Sequence, residues 1–154
     1  MTEYVAGFLF HECMEFVLLV RKQRPKWQAG RLNAIGGHVE EGEVALDAMV
    51  REFREETGLE IYDWQPLACL NGTDLDGHTW KVHFYYSTTD TATILSAKSV
   101  DEPIGVYGTK HTGEQLPNLA WLIPMAQSLH AGIDRAHYFS ITEKYESAGE
   151  PDHA

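Results

Sequence analysis

Three glutamates follow a pair of glycines in the middle of the chain. Glu52, Glu55 and Glu56 lie at positions i, i+3 and i+4, so a helix would place their side chains on one patch. These like charges repel one another, and a hard divalent cation such as Mg²⁺, which prefers oxygen ligands, would relieve the repulsion. The paired glycines, Gly36 and Gly37, let the backbone approach a ligand closely and offer a carbonyl oxygen as a further ligand. The alternative interpretation is an acidic helix face that is only solvated.

The element that must position these carboxylates is a helix, which we predict over residues 44–57. Apolar residues recur there with the period of about 3.6 that is typical of a helix with one buried face. A glycine, Gly58, follows at the place where a left-handed residue would end the helix. The predicted apolar positions are Val44, Leu46, Ala48, Met49, Val50, Phe53 and Leu59.

The spacing of the whole stretch matches a known signature. From Gly37 through Glu43 to the segment REFREETGL, which begins at Arg51, the chain follows the pattern Gx5Ex7REUxEExGU, in which U is apolar. In this it resembles the Nudix hydrolases. The resemblance implies an α/β fold, a Nudix α/β/α sandwich with a mixed β-sheet. It also implies cleavage, dependent on Mg²⁺ or Mn²⁺, of a nucleoside diphosphate linked to another group.

The resemblance also implies roles for individual residues. Its metal ligands would be the Gly36 carbonyl, Glu52, Glu55, Glu56 and Glu102. Glu102 belongs to an Asp-Glu pair in which Asp101 is the alternative ligand. The general base would be Glu52 or Glu55, and Arg51 would orient Glu43 or Glu55.

A second, narrower similarity concerns the segment AGRLNAIGGHVEEGE, which is similar to that of Nudix enzymes that hydrolyse oxidised purine nucleoside triphosphates. It implies that Trp27, Asn33 and Gly37 contact the nucleotide. The alternatives are packing on the sheet for Trp27 and turn capping for Asn33. Asn118 is a further candidate for hydrogen bonding to the base, or else a helix cap. The acidic pair and the tryptophan that read the base in those enzymes are absent beside it, so the sequence does not predict a preference for oxidised purines.

Three functions are compatible with these residues. The favoured one is a (deoxy)nucleoside triphosphate pyrophosphohydrolase that releases a monophosphate and pyrophosphate. The second is a hydrolase of another nucleoside diphosphate derivative, such as ADP-ribose or a dinucleoside polyphosphate. Residue 75 is Leu where ADP-ribose enzymes are associated with proline. The third is a nucleotide-binding module without turnover. The intact REFREE segment disfavours it, because such modules often lose a carboxylate.

The remaining elements follow from periodicity and turn signals. We predict strands over residues 3–10, 15–21, 60–71, 79–88 and 104–107, and a loop over 90–99. Residues 21–26 form a basic loop that is either solvated or directed at phosphates. A second helix is predicted over 116–131, with Asn118 as its N-cap and Pro124 kinking it or loosening its first turns. An edge strand is predicted within 137–146.

Composition limits the possible partners. The chain has 154 residues and a net charge of −11, which disfavours a surface for a nucleic-acid polymer but is compatible with a small nucleotide bound through metal. We expect one domain over residues 1–146, a disordered tail over 147–154, and a cytoplasmic location without membrane contact. The two cysteines, Cys13 and Cys69, are expected to be reduced core thiols.

Overall fold

The computed structural model describes residues 1–110, 114–133 and 139–144. Within these ranges, three helices flank an eight-stranded sheet. The elements in chain order are β1 Thr2–His11, β2 Phe16–Arg21, β3 Leu32–Asn33, β4 Ile35–His38, α1 Ala45–Thr57, β5 Gln65–Thr73, β6 Thr79–Thr89, α2 Thr91–Leu95, β7 Ile104–Gly108, α3 Leu119–His130 and β8 Phe139–Lys144.

The sheet is mixed, as predicted. Its main path runs β3-β2-β1-β6-β5-β8, with β1 parallel to β6 and β5 parallel to β8. The other pairings are antiparallel, and they include β4 with β1 and β7 with β2. Strand β1 changes partner along its length, because Gly7 faces Ile35 of β4 whereas Leu9 faces Leu18 of β2. The sheet therefore forks between β2 and β4.

Both faces of the sheet are buried, each beneath a helix. Strand β6 alternates between the two faces, since Phe84 lies in the core that contains α3 and Tyr85 in the core that contains α1. In α1, Ala48, Met49 and Phe53 are fully buried. Burial of each large apolar side chain stabilises the fold by about 1.5–3 kcal/mol. The two layers of helix with the sheet between them confirm the predicted sandwich.

Helix α1 ends where the sequence predicts. Gly58 has a φ of 75° and donates its N–H to the carbonyl of Arg54. The hydroxyl of Thr57, which is fully buried, donates to the carbonyl of Phe53 at 2.6 Å and accepts from the N–H of Leu59 at 3.1 Å. These bonds fix the C-terminal turn of the helix, which carries Glu55 and Glu56.

Helix α3 begins at Leu119, and Asn118 precedes it with a helical backbone but no side-chain capping bond. The prediction that the Asn118 side chain caps this helix is therefore wrong. Bonds of the i to i+3 type link Leu116 to Leu119 and Pro117 to Ala120, so the first turn is tightened into a 3₁₀ form. The helix continues through Pro124.

Three expectations are corrected. The loop predicted over 90–99 contains α2, a single turn capped by Asp90, whose carboxylate accepts from the N–H of Thr93 at 2.7 Å. A turn with one buried residue, Ile94, is too short to show periodicity. The strand predicted over 60–71 begins only at Gln65, because the apolar residues before it pack under α1 instead of pairing. Both cysteines are free as expected, but Cys13 is exposed and only Cys69 is buried.

Strand β8 lies inside the range predicted for an edge strand and pairs with β5. The rest of that range and the tail over 147–154 lie outside the described residues. Among the described residues, no helix is long and apolar enough to cross a membrane.

Candidate active site

The paired glycines form part of β4, pressed against both β1 and α1. Gly36 faces Ala6 across the sheet, and an added Cβ at Gly36 would lie 1.9 Å from the carbonyl oxygen of Val5. An added Cβ at Gly37 would lie 2.3 Å from Oε2 of Glu52. Because neither position has room for a side chain, the carboxylate of Glu52 rests directly on the backbone of this strand.

A single arginine ties the carboxylates to this strand. Arg51 donates from Nε and Nη2 to the two carboxylate oxygens of Glu43, each at 2.8 Å, and from Nη2 to the carbonyl of His38 at 2.9 Å. Its Nη1 donates to Oε1 of Glu52 at 2.8 Å and lies 3.5 Å from Glu55. Of the two predicted partners, Glu43 is the closer one, and the bond to Glu52 was not anticipated.

The Arg51 guanidinium and the Glu43 carboxylate each shift the pKa of the other. The hydrogen bonds from Arg51 lower the pKa of Glu43 to about 2, and the same contact raises the pKa of Arg51. The Arg51 side chain is 21% exposed, so solvent screens the pair only in part. The guanidinium therefore stays charged and holds Glu52 in place through the range of neutral pH.

The helix glutamates do not all face the same way. Glu52 and Glu56, one turn apart, both line a cavity beside the glycines, whereas Glu55 is not among the residues that line it. Each step along a helix rotates the side chain by about 100°, which turns Glu55 away from Glu56. The Glu55 side chain is 54% exposed and contacts Arg51 from outside. Glu52 and Glu56 thus share the cavity, whereas Glu55 meets Glu52 at the Arg51 guanidinium, whose Nη1 lies 2.8 Å from Glu52 and 3.5 Å from Glu55.

Glu56 lies in a strongly negative environment. Its pKa is raised, first by burial and then by the charges of Asp101, Glu52 and Glu102, while the charge of Lys22 opposes the rise. Like charges thus gather around Glu56 from two separate elements, the helix and the loop that precedes β7.

The two side chains of the Asp101–Glu102 pair, which precedes β7, lie in different environments. Glu102 is 5% exposed and lines the cavity, and it accepts hydrogen bonds from Nζ of Lys22 and from the backbone N–H groups of Gln23 and Arg24. Burial would raise the pKa of Glu102, but these donors together lower it. Asp101 pairs instead with the Arg24 side chain and does not line the cavity. Of the two alternative metal ligands, Glu102 and Asp101, Glu102 is therefore the one that lines the cavity.

One cavity of about 1420 Å³ lies at the fork in the sheet. It reaches from Glu52, Glu56 and Glu102 to an apolar region beyond the glycines. All four predicted nucleotide contacts line it, namely Trp27, Asn33, Gly37 and Asn118.

These side chains differ in their existing contacts. Trp27 is 64% exposed, so the alternative that it packs on the sheet is wrong. Asn33 accepts from the N–H of Ala34 at 2.8 Å and donates to Gln28 at 3.3 Å, which is the local capping considered as its alternative. The Oδ1 of Asn118 is buried and has no hydrogen-bond partner among the described residues.

Comparison with known proteins decides the family. The NUDIX domain family matches residues 2–104, about two thirds of the chain. The chain belongs to the Nudix family. A curated relative from Mycobacterium tuberculosis, "Putative 8-oxo-dGTP diphosphatase 2", is 42% identical over 59 residues. That alignment covers 38% of this chain and only 40% of the relative.

Solved structures share the Nudix fold. A MutT NUDIX hydrolase from Burkholderia pseudomallei superposes with a TM-score of 0.67 at 18% identity, covering 80% of this chain and 96% of that one. The NUDIX domain of Shewanella oneidensis NrtR, solved in complex with ADP ribose, gives 0.63 at 18% identity, covering 83% and 87%. At such identities the likeness concerns the fold alone.

The Nudix carboxylates fit a hard divalent cation. Their donor atoms are oxygens, three of the carboxylates face one cavity, and the repulsion that raises the pKa of Glu56 is what a cation would remove.

A second acidic group, Asp74, Asp76 and His78, is exposed. Asp74 there accepts from the N–H groups of Asp76 and His78 at 3.0 and 2.8 Å, bonds that are typical of a turn stabilised by an aspartate side chain.

Two cavity residues, Lys22 and Trp80, were given no individual role by the sequence analysis. Lys22 was treated only as part of a basic loop. Trp80 forms part of the apolar wall, and its ring lies across Gly72, where an added Cβ would be 2.0 Å from the ring. A glycine opposite an aromatic residue on a neighbouring strand is the signal that could have located Trp80.

Proposed function

We propose that this Nudix protein is a (deoxy)nucleoside triphosphate pyrophosphohydrolase that uses Mg²⁺ or Mn²⁺ and releases a nucleoside monophosphate and pyrophosphate. The observation that carries the proposal is the continuity of one cavity between the carboxylates and the four candidate nucleotide contacts. A polyphosphate in the acidic part would place its nucleoside against the apolar part. In this proposal residues 1–146 act as one domain on a small nucleotide, not on a nucleic-acid polymer.

The proposed cation ligands are the Gly36 carbonyl, Glu52, Glu55, Glu56 and Glu102. When bound, the metal would neutralise the phosphates and lower the pKa of water. Glu52, Glu56 and Glu102 support this assignment by facing the cavity. For Glu55 to take part, its exposed side chain would have to turn away from Arg51.

We assign proton removal from water to Glu52, with Glu55 as the alternative. Glu52 lies against Gly37, and Arg51 fixes one of its oxygens by a 2.8 Å hydrogen bond. Its second oxygen is thereby oriented before substrate binds. Arg51 also acts as a positioning group, because it links Glu52 to the backbone at His38 and to Glu43.

The nucleoside would lie between Trp27 and the apolar wall. An exposed indole at the cavity lining offers a face for stacking on a base. The buried, unpaired Oδ1 of Asn118 would accept a hydrogen bond from a base N–H, and Asn33 offers both a donor and an acceptor. Gly37 would let the phosphates approach the backbone of β4.

A second candidate is hydrolysis of a larger nucleoside diphosphate derivative, such as ADP-ribose or a dinucleoside polyphosphate. The cavity, at about 1420 Å³, exceeds the 300–1,000 Å³ that is common for small-ligand sites. This volume would accommodate a group beyond a single nucleoside.

The test is turnover of a panel of nucleotides with Mg²⁺ and with Mn²⁺. We expect nucleoside triphosphates to give equal amounts of monophosphate and pyrophosphate. Faster turnover of ADP-ribose or a dinucleoside polyphosphate would favour the second candidate. Nucleotide binding with no turnover of any member would indicate a binding module and refute both.

A further inference from the structure

One cation of the basic loop, Lys22, lies among the carboxylates of the cavity. Lys22 follows β2 directly, and its ammonium donates to Oε1 of Glu102. Its side chain is 21% exposed and that of Glu102 is 6% exposed, so the pair is largely removed from solvent. A buried carboxylate without a partner is costly, and Lys22 supplies the partner charge.

The two oxygens of Glu102 are held differently. The backbone N–H groups of Gln23 and Arg24 both donate to Oε2, whereas Oε1 accepts from Lys22. The backbone donors are fixed by the chain, but the lysine stem has four rotatable bonds. Oε1 is therefore the oxygen that can exchange its partner while Oε2 keeps Glu102 in place.

The charge of Lys22 reaches beyond Glu102. It also acts on Glu56, where it opposes the effects of three carboxylates. The other cation of this loop that lines the cavity, Arg24, is paired with Asp101. The charge of Arg24 also acts on Glu102 and Glu56, but of these two loop cations it is Lys22 whose side chain hydrogen-bonds Glu102 directly.

We propose that Lys22 is the resident counter-ion of the metal site: a divalent cation displaces its ammonium from Oε1 of Glu102, and the released ammonium then binds the polyphosphate. This inference rests on the proposed function. A divalent cation beside Glu102 repels the ammonium, and an incoming polyphosphate attracts it, so both charges move Lys22 in the same direction. Metal and polyphosphate are then coupled through one side chain.

The experiment compares Lys22→Met with Lys26→Met in the full chain. Lys26 lies in the same loop, is exposed and does not line the cavity, so its replacement removes the same charge without the contact. Binding of Mn²⁺ alone is measured by electron paramagnetic resonance. Binding of pyrophosphate is measured by calorimetry at saturating Mn²⁺.

We expect Lys22→Met to bind Mn²⁺ more tightly than wild type, by about threefold or more, because the competing ammonium is gone. The same variant should bind pyrophosphate about tenfold more weakly. Lys26→Met should stay within about twofold of wild type in both measurements. Lys22→Gln, which keeps a neutral donor to Glu102, should shift both affinities in the same directions and serves if the Met variant does not fold.

Equal Mn²⁺ affinities of the Lys22 and Lys26 variants, or a weaker affinity in Lys22→Met, would overturn the displacement. Unchanged pyrophosphate affinity in Lys22→Met would overturn the transfer of the ammonium to phosphate. Failure of the wild type itself to bind Mn²⁺ or pyrophosphate would instead refute the proposed function.

Discussion

The guanidinium of Arg51 holds both carboxylate oxygens of Glu43 at 2.8 Å across the turn that leads from β4 into α1. The bond joins two fixed positions of the Nudix signature that are eight residues apart. The same guanidinium also donates to the carbonyl of His38 at the end of β4 and to Glu52, so it links α1 to β4 beside Gly37.

This pair should contribute to stability in a pH-dependent way. Glu43→Gln is expected to lower the free energy of unfolding by about 1.5–3 kcal/mol at pH 7, the range for hydrogen bonds to charged groups. The pKa of Glu43 is lowered from 4.5 to about 2 in the folded state, so its contribution is complete above pH 4.5 and is lost as the pH falls towards 2. Urea unfolding of both proteins at pH 7 and pH 3.5 measures this. A stability difference that grows on acidification would contradict it.

The cavity glutamates should be needed for turnover but not for folding. Glu52→Gln and Glu56→Gln are each expected to lower kcat by about 100-fold or more, the scale for loss of one preorganised charged group. Glu41→Gln, at an exposed position of the same signature, is the control and should keep its kcat. Steady-state kinetics measures the effect, with circular dichroism to verify folding. A Glu56→Gln enzyme with wild-type kcat would refute the role given to Glu56.

Glu56 should also destabilise the metal-free protein. Its raised pKa means that its ionised form is disfavoured in the folded state, so at pH 7 the charge costs stability. Glu56→Gln is expected to raise the metal-free melting temperature, by about 2–4 °C for each kcal/mol removed. Calorimetric melting in a chelator provides the measurement. A lower melting temperature than that of wild type would show that Glu56 has a stabilising partner.

Trp27 should act on the nucleotide and not on the fold. Since its side chain is 64% exposed, Trp27→Ala is expected to leave the melting temperature unchanged. Loss of one stacked base contact should raise KM for the nucleotide by about tenfold. Tyr62→Ala, at a position 67% exposed, is the matched control. The same KM in both variants would exclude stacking by Trp27.

Gly37 should be required for its lack of a side chain. Gly37→Ala forces a Cβ to within 2.3 Å of the Glu52 carboxylate, so Glu52 must move and kcat is expected to fall by about 100-fold. Gly108→Ala, where nothing lies within 4 Å of an added Cβ, is the control. Kinetics and melting curves of both variants test this. Full activity of Gly37→Ala would show that the position of Glu52 is not critical.

Much of the fold could be predicted from the pattern of apolar residues along the chain. Helix α1 has the apolar period of one buried face and a glycine at its end, and β6 alternates between two cores. These features follow from neighbouring residues, so the sequence displays them directly. Helix α2 could not be predicted in this way, because one turn contains a single buried residue.

The cavity depends on contacts between residues distant in the chain. The partner change of β1 at Gly7, the bond between Lys22 and Glu102, and Trp80 lying across Gly72 each join separate segments. Such contacts leave no periodic pattern in the sequence from which they could be predicted. The signature likewise groups Glu55 with Glu56, and only the rotation of α1 against the sheet shows that Glu55 lies outside the cavity.

Anomalous scattering from crystals grown with Mn²⁺ would locate the bound metal. We predict a manganese peak in the cavity within ligand distance of Glu52 and Glu56, beside Gly36. A peak confined to the exposed turn at Asp74, Asp76 and His78, with none between Glu52 and Glu56, would contradict the assignment of the acidic cavity as the metal site.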